Sequence, residues 1–295
     1  MNCLICDSAK LSNVGAVETS KHFDVVQCKE CRFVFTLPRP SQEELIAHYG
    51  ADYFTNSSKE AGYNDYYTIG EMNMRAMWPS FKEYMGRVYQ NEQTILDVGC
   101  ASGAFLLEAK KDGWVTKGIE LSDDAVLRAT SEYNLDVKQG DIFCNELKLS
   151  SFNVITMWHV LEHTLQPIDV LQRAYALLTP GGVVFIELPN WNSLGRILKG
   201  TRWKQLVPPA HLNFFIRQSM RKALERVGFE VIRCSTHNVA GIDKLRARSA
   251  KVVIPMIDGV AAAVGYMGCG GYLRALARKP ERSRAGMFEE PHLVS

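Results

Sequence analysis

Residues 95–103, Ile-Leu-Asp-Val-Gly-Cys-Ala-Ser-Gly, constrain this chain more than any other stretch. Ile95, Leu96 and Val98 form a short apolar run that reads as a buried strand, with Asp97 set inside it. Gly99 follows at the strand end, small residues lead to Gly103, and an apolar, helix-prone run continues from Ala104 to Lys111. A strand, a tight glycine turn and a helix in this order let backbone approach a nucleotide-like ligand at the helix start. A side chain at Gly99 or Gly103 is expected to occupy ligand space or to force an unfavourable φ.

The alternation continues downstream. Strands are predicted near 94–98, 114–120, 135–139, 152–158 and 182–188, with helices near 102–112, 122–133 and 167–178. Pro180-Gly181-Gly182 is expected to turn the chain before the fifth strand. A helix over 217–227 ends at Gly228, and strands follow at 229–234 and 272–279. Strands alternating with helices imply an α/β fold with a mostly parallel, seven-stranded sheet and right-handed crossovers.

The glycine turn fails the Gly-x-Gly-x-x-Gly dinucleotide fingerprint at its third and sixth positions, Ala101 and Ala104. Its Asp-x-Gly-x-x-x-Gly form instead resembles motif I of the Rossmann-like S-adenosylmethionine (SAM) methyltransferases, and the resemblance extends over roughly residues 94–235. Glu120 ends the second strand of the series, where a carboxylate accepts hydrogen bonds from ribose hydroxyls in NAD and SAM enzymes alike. Asp141, in Gly140-Asp141-Ile142, resembles the acid that reads the adenine amino group in SAM methyltransferases, with Ile142 and Phe143 against the ring. The resemblance therefore implies a SAM site at Asp97, Gly99, Cys100, Ala101, Gly103, Glu120, Leu121, Asp141, Ile142 and Trp158. Without it, Glu120 reads as a solvated strand-end carboxylate and Asp141 as an N-cap.

The fourth strand runs into Trp158-His159-Val160-Leu161-Glu162-His163, followed by Pro167 and Leu177-Leu178-Thr179-Pro180-Gly181-Gly182. This order resembles the corresponding region of ubiquinone-type O-methyltransferases and sugar methyltransferases. His159 and His163 fall at the carboxyl end of a strand, where open α/β sheets hold their ligands. They also have the spacing of a His-x-x-x-His metal pair, with no third ligand beside them in the sequence. A later segment, Trp203 to Phe215, resembles the Glu-His-x-x-x-Phe segment of zinc-ribbon sugar C-methyltransferases. His211 matches its histidine, while Ala210 stands where that pattern has glutamate, so the resemblance carries the ribbon and the core but not C-methylation. His211, His159 and His163 are the expected catalytic residues. A histidine of near-neutral pKa suits deprotonation of a hydroxyl acceptor, and His211 and His159 are the favoured bases.

Ahead of this core, Cys3-x-x-Cys6 and Cys28-x-x-Cys31 frame short strand-like segments, the spacing of a zinc ribbon over residues 1–40. Four thiolates close a tetrahedron, so the metal at Cys3, Cys6, Cys28 and Cys31 is expected to be structural Zn2+. Residues 41–93 read as a helical connector or cap. Ser41 and Glu44 form a capping box, Gly50 suits the helix end, and Pro79 is expected to kink or split a later helix. Its rings, Tyr49, Tyr53, Phe54, Tyr63, Tyr66, Tyr67, Trp78, Phe81 and Tyr84, are expected mostly to pack on the core, with one or two tyrosines over the site. Residues 94–279 form the Rossmann-like domain and 280–295 a loose tail.

Composition narrows the partners. The eight cysteines come without a secretory signal, which predicts reduced thiols in a cytoplasmic protein. A net charge of +2 offers no broad basic field, so no nucleic acid is expected. The apolar stretch 252–273 is broken by Pro255, Asp258 and several glycines. It reads as a surface helix followed by an edge strand rather than a membrane span. The expected function is SAM-dependent methyl transfer to a small molecule, a hydroxyl of a sugar, nucleotide-sugar or glycan. The alternatives are an RNA or protein methyltransferase that docks through its ribbon, and a SAM-binding protein without catalysis.

Overall fold

The structure, a computed structural model, describes residues 1–48, 66–88, 93–237 and 254–281. The apolar runs become strands: β1 (Leu11–Glu18), β2 (His22–Cys28), β3 (Val34–Leu37), β4 (Thr94–Val98), β5 (Val115–Glu120), β6 (Val137–Gln139), β7 (Phe152–Trp158), β8 (Leu178–Pro189), β9 (Asn213–Phe214), β10 (Glu230–His237) and β11 (Tyr272–Arg278). The amphipathic runs become helices: α1 (Gln42–His48), α2 (Glu71–Met85), α3 (Ala104–Lys111), α4 (Asp123–Ser131), α5 (Pro167–Leu177), α6 (Leu194–Lys199), α7 (Arg217–Val227) and α8 (Ile254–Tyr266). Local chemistry sets their ends. Ser41 and Glu44 make both bonds of the expected capping box, at 3.1 and 2.9 Å, and Gly228 closes α7 at φ +103°.

The main sheet has the order β10-β11-β8-β7-β4-β5-β6. β4 pairs in parallel with β5 on one side and β7 on the other, β7 with β8 and β5 with β6. The chain therefore leaves β4 first towards one edge and later towards the other. The carboxyl end of β4 is a topological switch point, where crevices open in such sheets. The glycine turn lies there. Ile95, Leu96, Val154, Ile155 and Met157 are fully buried, as parallel strands covered on both faces require.

Three expectations of local structure are corrected. β11 is not an edge strand: it runs antiparallel between β8 and β10, its Leu273, Ala275, Leu276 and Ala277 buried, and β10 takes the edge. Pro180-Gly181-Gly182 lies inside β8, where Gly181 takes φ +79° and the pairing with β7 shifts register. Pro79 does not split α2, which runs unbroken from Glu71 to Met85. Buried Trp78 and Phe81 beside it lock the helix against Phe105 and Trp114, with ring centroids 5.3–6.5 Å apart. Tyr84 lies in the same core, whereas Tyr49, Gly50, Tyr53, Phe54 and Tyr63 lie outside the described residues. No described helix is long and apolar enough to cross a membrane.

The ribbon is stitched to the main unit. Its sheet, β1-β2-β3-β9, takes its fourth strand from the chain after α6. Phe33 and Phe35 share one core with Phe215 and Met220, and Arg226 of α7 donates to the Ile5 carbonyl at 2.7 Å. Arg39 follows β3 and donates to the carbonyls of Leu212, Thr164 and Leu165 at 2.7–3.0 Å. One guanidinium thus ties the loop after β7 to the segment before β9.

Candidate functional site

The glycine turn is built from left-handed residues: Gly99 at φ +67°, Ala101 at +49° and Gly103 at +76°. A Cβ on Gly99 would meet Val160 at 3.0 Å. On Gly103 it would stand 2.5 Å from Leu135, and the φ of +76° is itself the conformation that a side chain there would find unfavourable. Asp97 lies beneath the turn, 1% exposed. Its Oδ1 accepts from Thr156 Oγ1 at 2.6 Å, while Oδ2 is buried with no hydrogen-bond partner among the described residues. Burial pushes this carboxyl up to about 7.

That shift sets a stability test. Unfolded Asp97 ionises near its ordinary value of about 3.9, while the folded protein keeps the proton to about 7. Unfolding thus releases a proton between these values, and stability falls as pH rises across that window. Asp97→Asn keeps the Thr156 bond and loses the titration. It is expected to melt higher than the parent at pH 8, with the gap closing towards pH 3.5; equal melting temperatures at both pH values would contradict the burial account.

Glu120, at the end of β5, clamps the turn. Its Oε2 accepts from Ala101 N at 2.9 Å and its Oε1 from Leu121 N and Ser122 N at 2.8 and 3.0 Å. Burial raises its pKa even against these three bonds. Asp141 follows β6; its Oδ1 accepts from Phe143 N at 2.9 Å, which holds the loop with Ile142 buried and Phe143 half-exposed.

Beyond β7 the chain places His159 at φ +56°, a left-handed conformation unusual for a side-chain-bearing residue and a mark of functional sites. Its Nδ1 is 3.1 Å from Glu162 Oε1 and its Nε2 3.7 Å from Glu187 Oε1. Burial works against a charge on His159, but the Glu162 bond and both carboxylates outweigh it and raise its pKa. Glu187 also takes Arg274 Nε and His237 Nε2. Below the pocket, the carboxylates of Glu162 and Glu187 thus face Arg274 and His159, while burial drives His237 down to about 4 and keeps it neutral.

These elements surround a cavity of about 440 Å³, a volume usual for small-molecule sites. Gly99, Cys100, Ala101, Glu120, Leu121, Asp141, Ile142 and Trp158 of the expected cofactor set line it, with His159 and His163. Asp97 and Gly103 stand behind this wall. His211 does not line it either: its ring packs on His163 at 4.7 Å between centroids. Burial and the neighbouring His163 hold His211 down to about 3, far below a near-neutral base. Of the two rings, His163 is the one that meets the cavity, with His211 packed against it. Of the two histidines with His-x-x-x-His spacing, the structure groups His163 not with His159 but with His211 and Glu162.

Sequence reading missed Gln42 and Leu45 of α1 and Met74 of α2, which line the cavity from the connector. It also missed the buried carboxylates Glu162 and Glu187. The capping box at Ser41 marked α1 but gave no sign of which face it turns to the cavity. Tyr67, one of the tyrosines expected near the site, packs on Ala101 of the glycine turn.

The four ribbon thiols gather as their spacing requires. Cys3 Sγ is 3.5 Å from Cys31 Sγ and Cys6 Sγ 3.6 Å from Cys28 Sγ, and all four atoms lie within 4.8 Å of one another. Zn–S bonds of about 2.3 Å in a tetrahedron separate sulfurs by similar distances. A soft four-sulfur set without disulfides fits structural zinc.

Residues 71–233, more than half of the chain, match the family described as a methyltransferase domain. The ubiquinone biosynthesis O-methyltransferase of Paracidovorax citrulli is 27% identical over 158 residues, 46% of this chain and 66% of that protein. Its counterpart in Histophilus somni is 33% identical over 110 residues, 34% of this chain and 46% of that protein. The chain thus spans less than two thirds of the length of either relative. A SAM dependent methyltransferase of known structure from Archaeoglobus fulgidus shares the fold, with a TM-score of 0.52 at 20% identity over 73% of this chain and 100% of that one.

Proposed function

The chain belongs to the methyltransferase domain family, and from that premise we propose that it transfers a methyl group from SAM to a hydroxyl of a small molecule, a sugar, nucleotide-sugar or glycan. The observation that carries this reading is the cavity itself. Its one side is the glycine turn with the acids Glu120 and Asp141, and its other side is a histidine wall, His159 and His163. The O-methyltransferase relatives support a hydroxyl acceptor.

SAM supplies a methyl on a sulfonium, a leaving group that needs no activation. The protein's task is to align acceptor and methyl and to exclude water. Glu120 is assigned the ribose hydroxyls, Asp141 the adenine amino group, and Ile142 and Phe143 the adenine faces. Gly99 to Ala101, Leu121 and Trp158 complete the bed, with Asp97 supporting it from beneath. The acceptor hydroxyl loses its proton towards the wall at His163. The Nδ1 of His163 lies 2.8 Å from the Ala210 carbonyl, which fixes the ring and puts the hydrogen on Nδ1, so that Nε2 is the nitrogen that can accept a proton. His159, held by Glu162, orients the acceptor. His211 positions His163 from behind. Zinc held by Cys3, Cys6, Cys28 and Cys31 would brace this wall through β3 and Arg39.

His163→Asn is expected to cut turnover by roughly 10²–10⁴-fold while SAM affinity, measured by titration calorimetry, stays near that of the parent. Unchanged turnover removes His163 from the reaction. The function itself is tested with methyl-labelled SAM and a fractionated cell extract. Label in a small anionic fraction supports the sugar or nucleotide-sugar acceptor. Label confined to macromolecules instead favours RNA or protein, and no transfer despite SAM binding contradicts the reading.

A further inference from the structure

We infer that Glu162, His163 and His211 form a second metal site, for a divalent transition-metal ion, distinct from the four ribbon thiols and set in the cavity wall. One ligand atom from each of the three lies within 4.8 Å of the others. Bonds of about 2.0–2.2 Å to nitrogen and oxygen close such a set with small side-chain rotations.

Both imidazoles are in the form that binds metal. The Nδ1 of His163 is 2.8 Å from the Ala210 carbonyl, and the Nδ1 of His211 is 2.7 Å from the Gln205 carbonyl. A carbonyl only accepts, so each Nδ1 carries the hydrogen and each Nε2 the lone pair. This is the outer-shell support that orients metal-bound histidines.

Glu162 supplies the anion. It is 1% exposed, and its Oε1 faces His159. Its Oε2 is buried with no hydrogen-bond partner among the described residues. A buried carboxylate oxygen without a donor is costly, and a cation beside it removes that cost. Arg39 does not satisfy this oxygen, since its three bonds go to backbone carbonyls.

The scaffold holds the ligands in register although they are 48 and 49 positions apart in sequence. Leu212 N donates to the Glu162 carbonyl at 2.7 Å. Asn213 Nδ2 donates to the carbonyls of Leu161 and Thr164 at 2.8 and 2.6 Å. The two loops that carry the ligands are thus laced on both flanks, as a preformed site needs.

Two nitrogens and one oxygen suit Zn2+, Fe2+, Co2+ or Mn2+ and leave coordination positions open, unlike the closed thiolate set. His163 also lines the cavity. Resting on the proposed methyl transfer, His163 is the base in the metal-free chain; a bound ion would occupy its Nε2 and would itself lower the pKa of the acceptor hydroxyl in its stead.

The test is a Co2+ titration of the full chain, reduced and with zinc in its ribbon, without SAM or acceptor. One further equivalent of Co2+ is expected, with weak visible bands and no sulfur-to-cobalt charge transfer. His211→Ala and Glu162→Gln are expected to lose that equivalent while keeping their ribbon zinc. Absence of the extra equivalent in the parent protein, bands of a thiolate site, or full retention in both variants would overturn the inference. The parent titration decides the matter even if a variant folds poorly. Since no methyl transfer is read, its failure is separable from failure of the proposed function.

Discussion

Stripping the ribbon's metal is expected to abolish methyl transfer while leaving SAM binding nearly intact. Structural zinc in small modules contributes about 10–16 kcal/mol of apparent binding energy that is also folding energy. Residues 1–37 have three strands, and their Ile5, Phe33 and Phe35 are buried in a core shared with the main unit, so without metal at the four thiols they are expected to lose order. The consequence reaches the acceptor wall. β3 pairs with β9 through Val34–Phe214 and Phe35–Asn213, and Thr36 N donates to the Leu212 carbonyl at 3.1 Å. Arg39 then ties Leu212 to Thr164 and Leu165. With these bonds gone, His163 and His211 lose their fixed spacing. Among the described residues the glycine turn, Glu120 and Asp141 make no hydrogen bond to the ribbon, and the cofactor side should persist. Chelation is expected to release one zinc per chain, with hydrogen exchange rising in residues 1–37 and 205–215. Freshly purified, reduced protein without zinc, or full turnover after its removal, contradicts this.

Glu120→Gln carries the second large effect. The carboxylate accepts three backbone N–H groups and is assigned the ribose hydroxyls besides. The amide has one accepting oxygen and brings an NH2 against N–H donors. Hydrogen bonds to a charged partner contribute roughly 1.5–3 kcal/mol each, so loss of one or two predicts SAM affinity down by about 10²-fold or more. The turn should also loosen, since Ala101 N loses its acceptor. An affinity within about twofold of the parent, a difference of roughly 0.4 kcal/mol, would remove Glu120 from the cofactor bed.

What sequence reveals here follows the range of the interaction. The glycine turn and the strand before it were legible because φ requirements and strand burial act on neighbouring residues. The four ribbon cysteines were legible because each knuckle is local and only the pairing of knuckles is not. The capping box at Ser41 and Glu44 is likewise a three-residue event. β11 was mistaken for an edge strand because its partners, β8 and β10, come from elsewhere in the chain, and its alanines and leucines do not announce two neighbours. His211 is hard to place from sequence for a related reason. Its segment resembles one with an active-site histidine, but whether its ring meets the cavity depends on His163, far away in sequence and interposed between them. Glu162 went unweighed because nothing in its own segment says that Leu212 and Asn213 will pin His211 beside it.

Calorimetric titration of the purified protein with SAM tests the central claim most directly. One SAM per chain, with affinity lost in Glu120→Gln and kept in His163→Asn, is the expected result. Absence of SAM binding by the folded parent protein would contradict the assignment of this cavity.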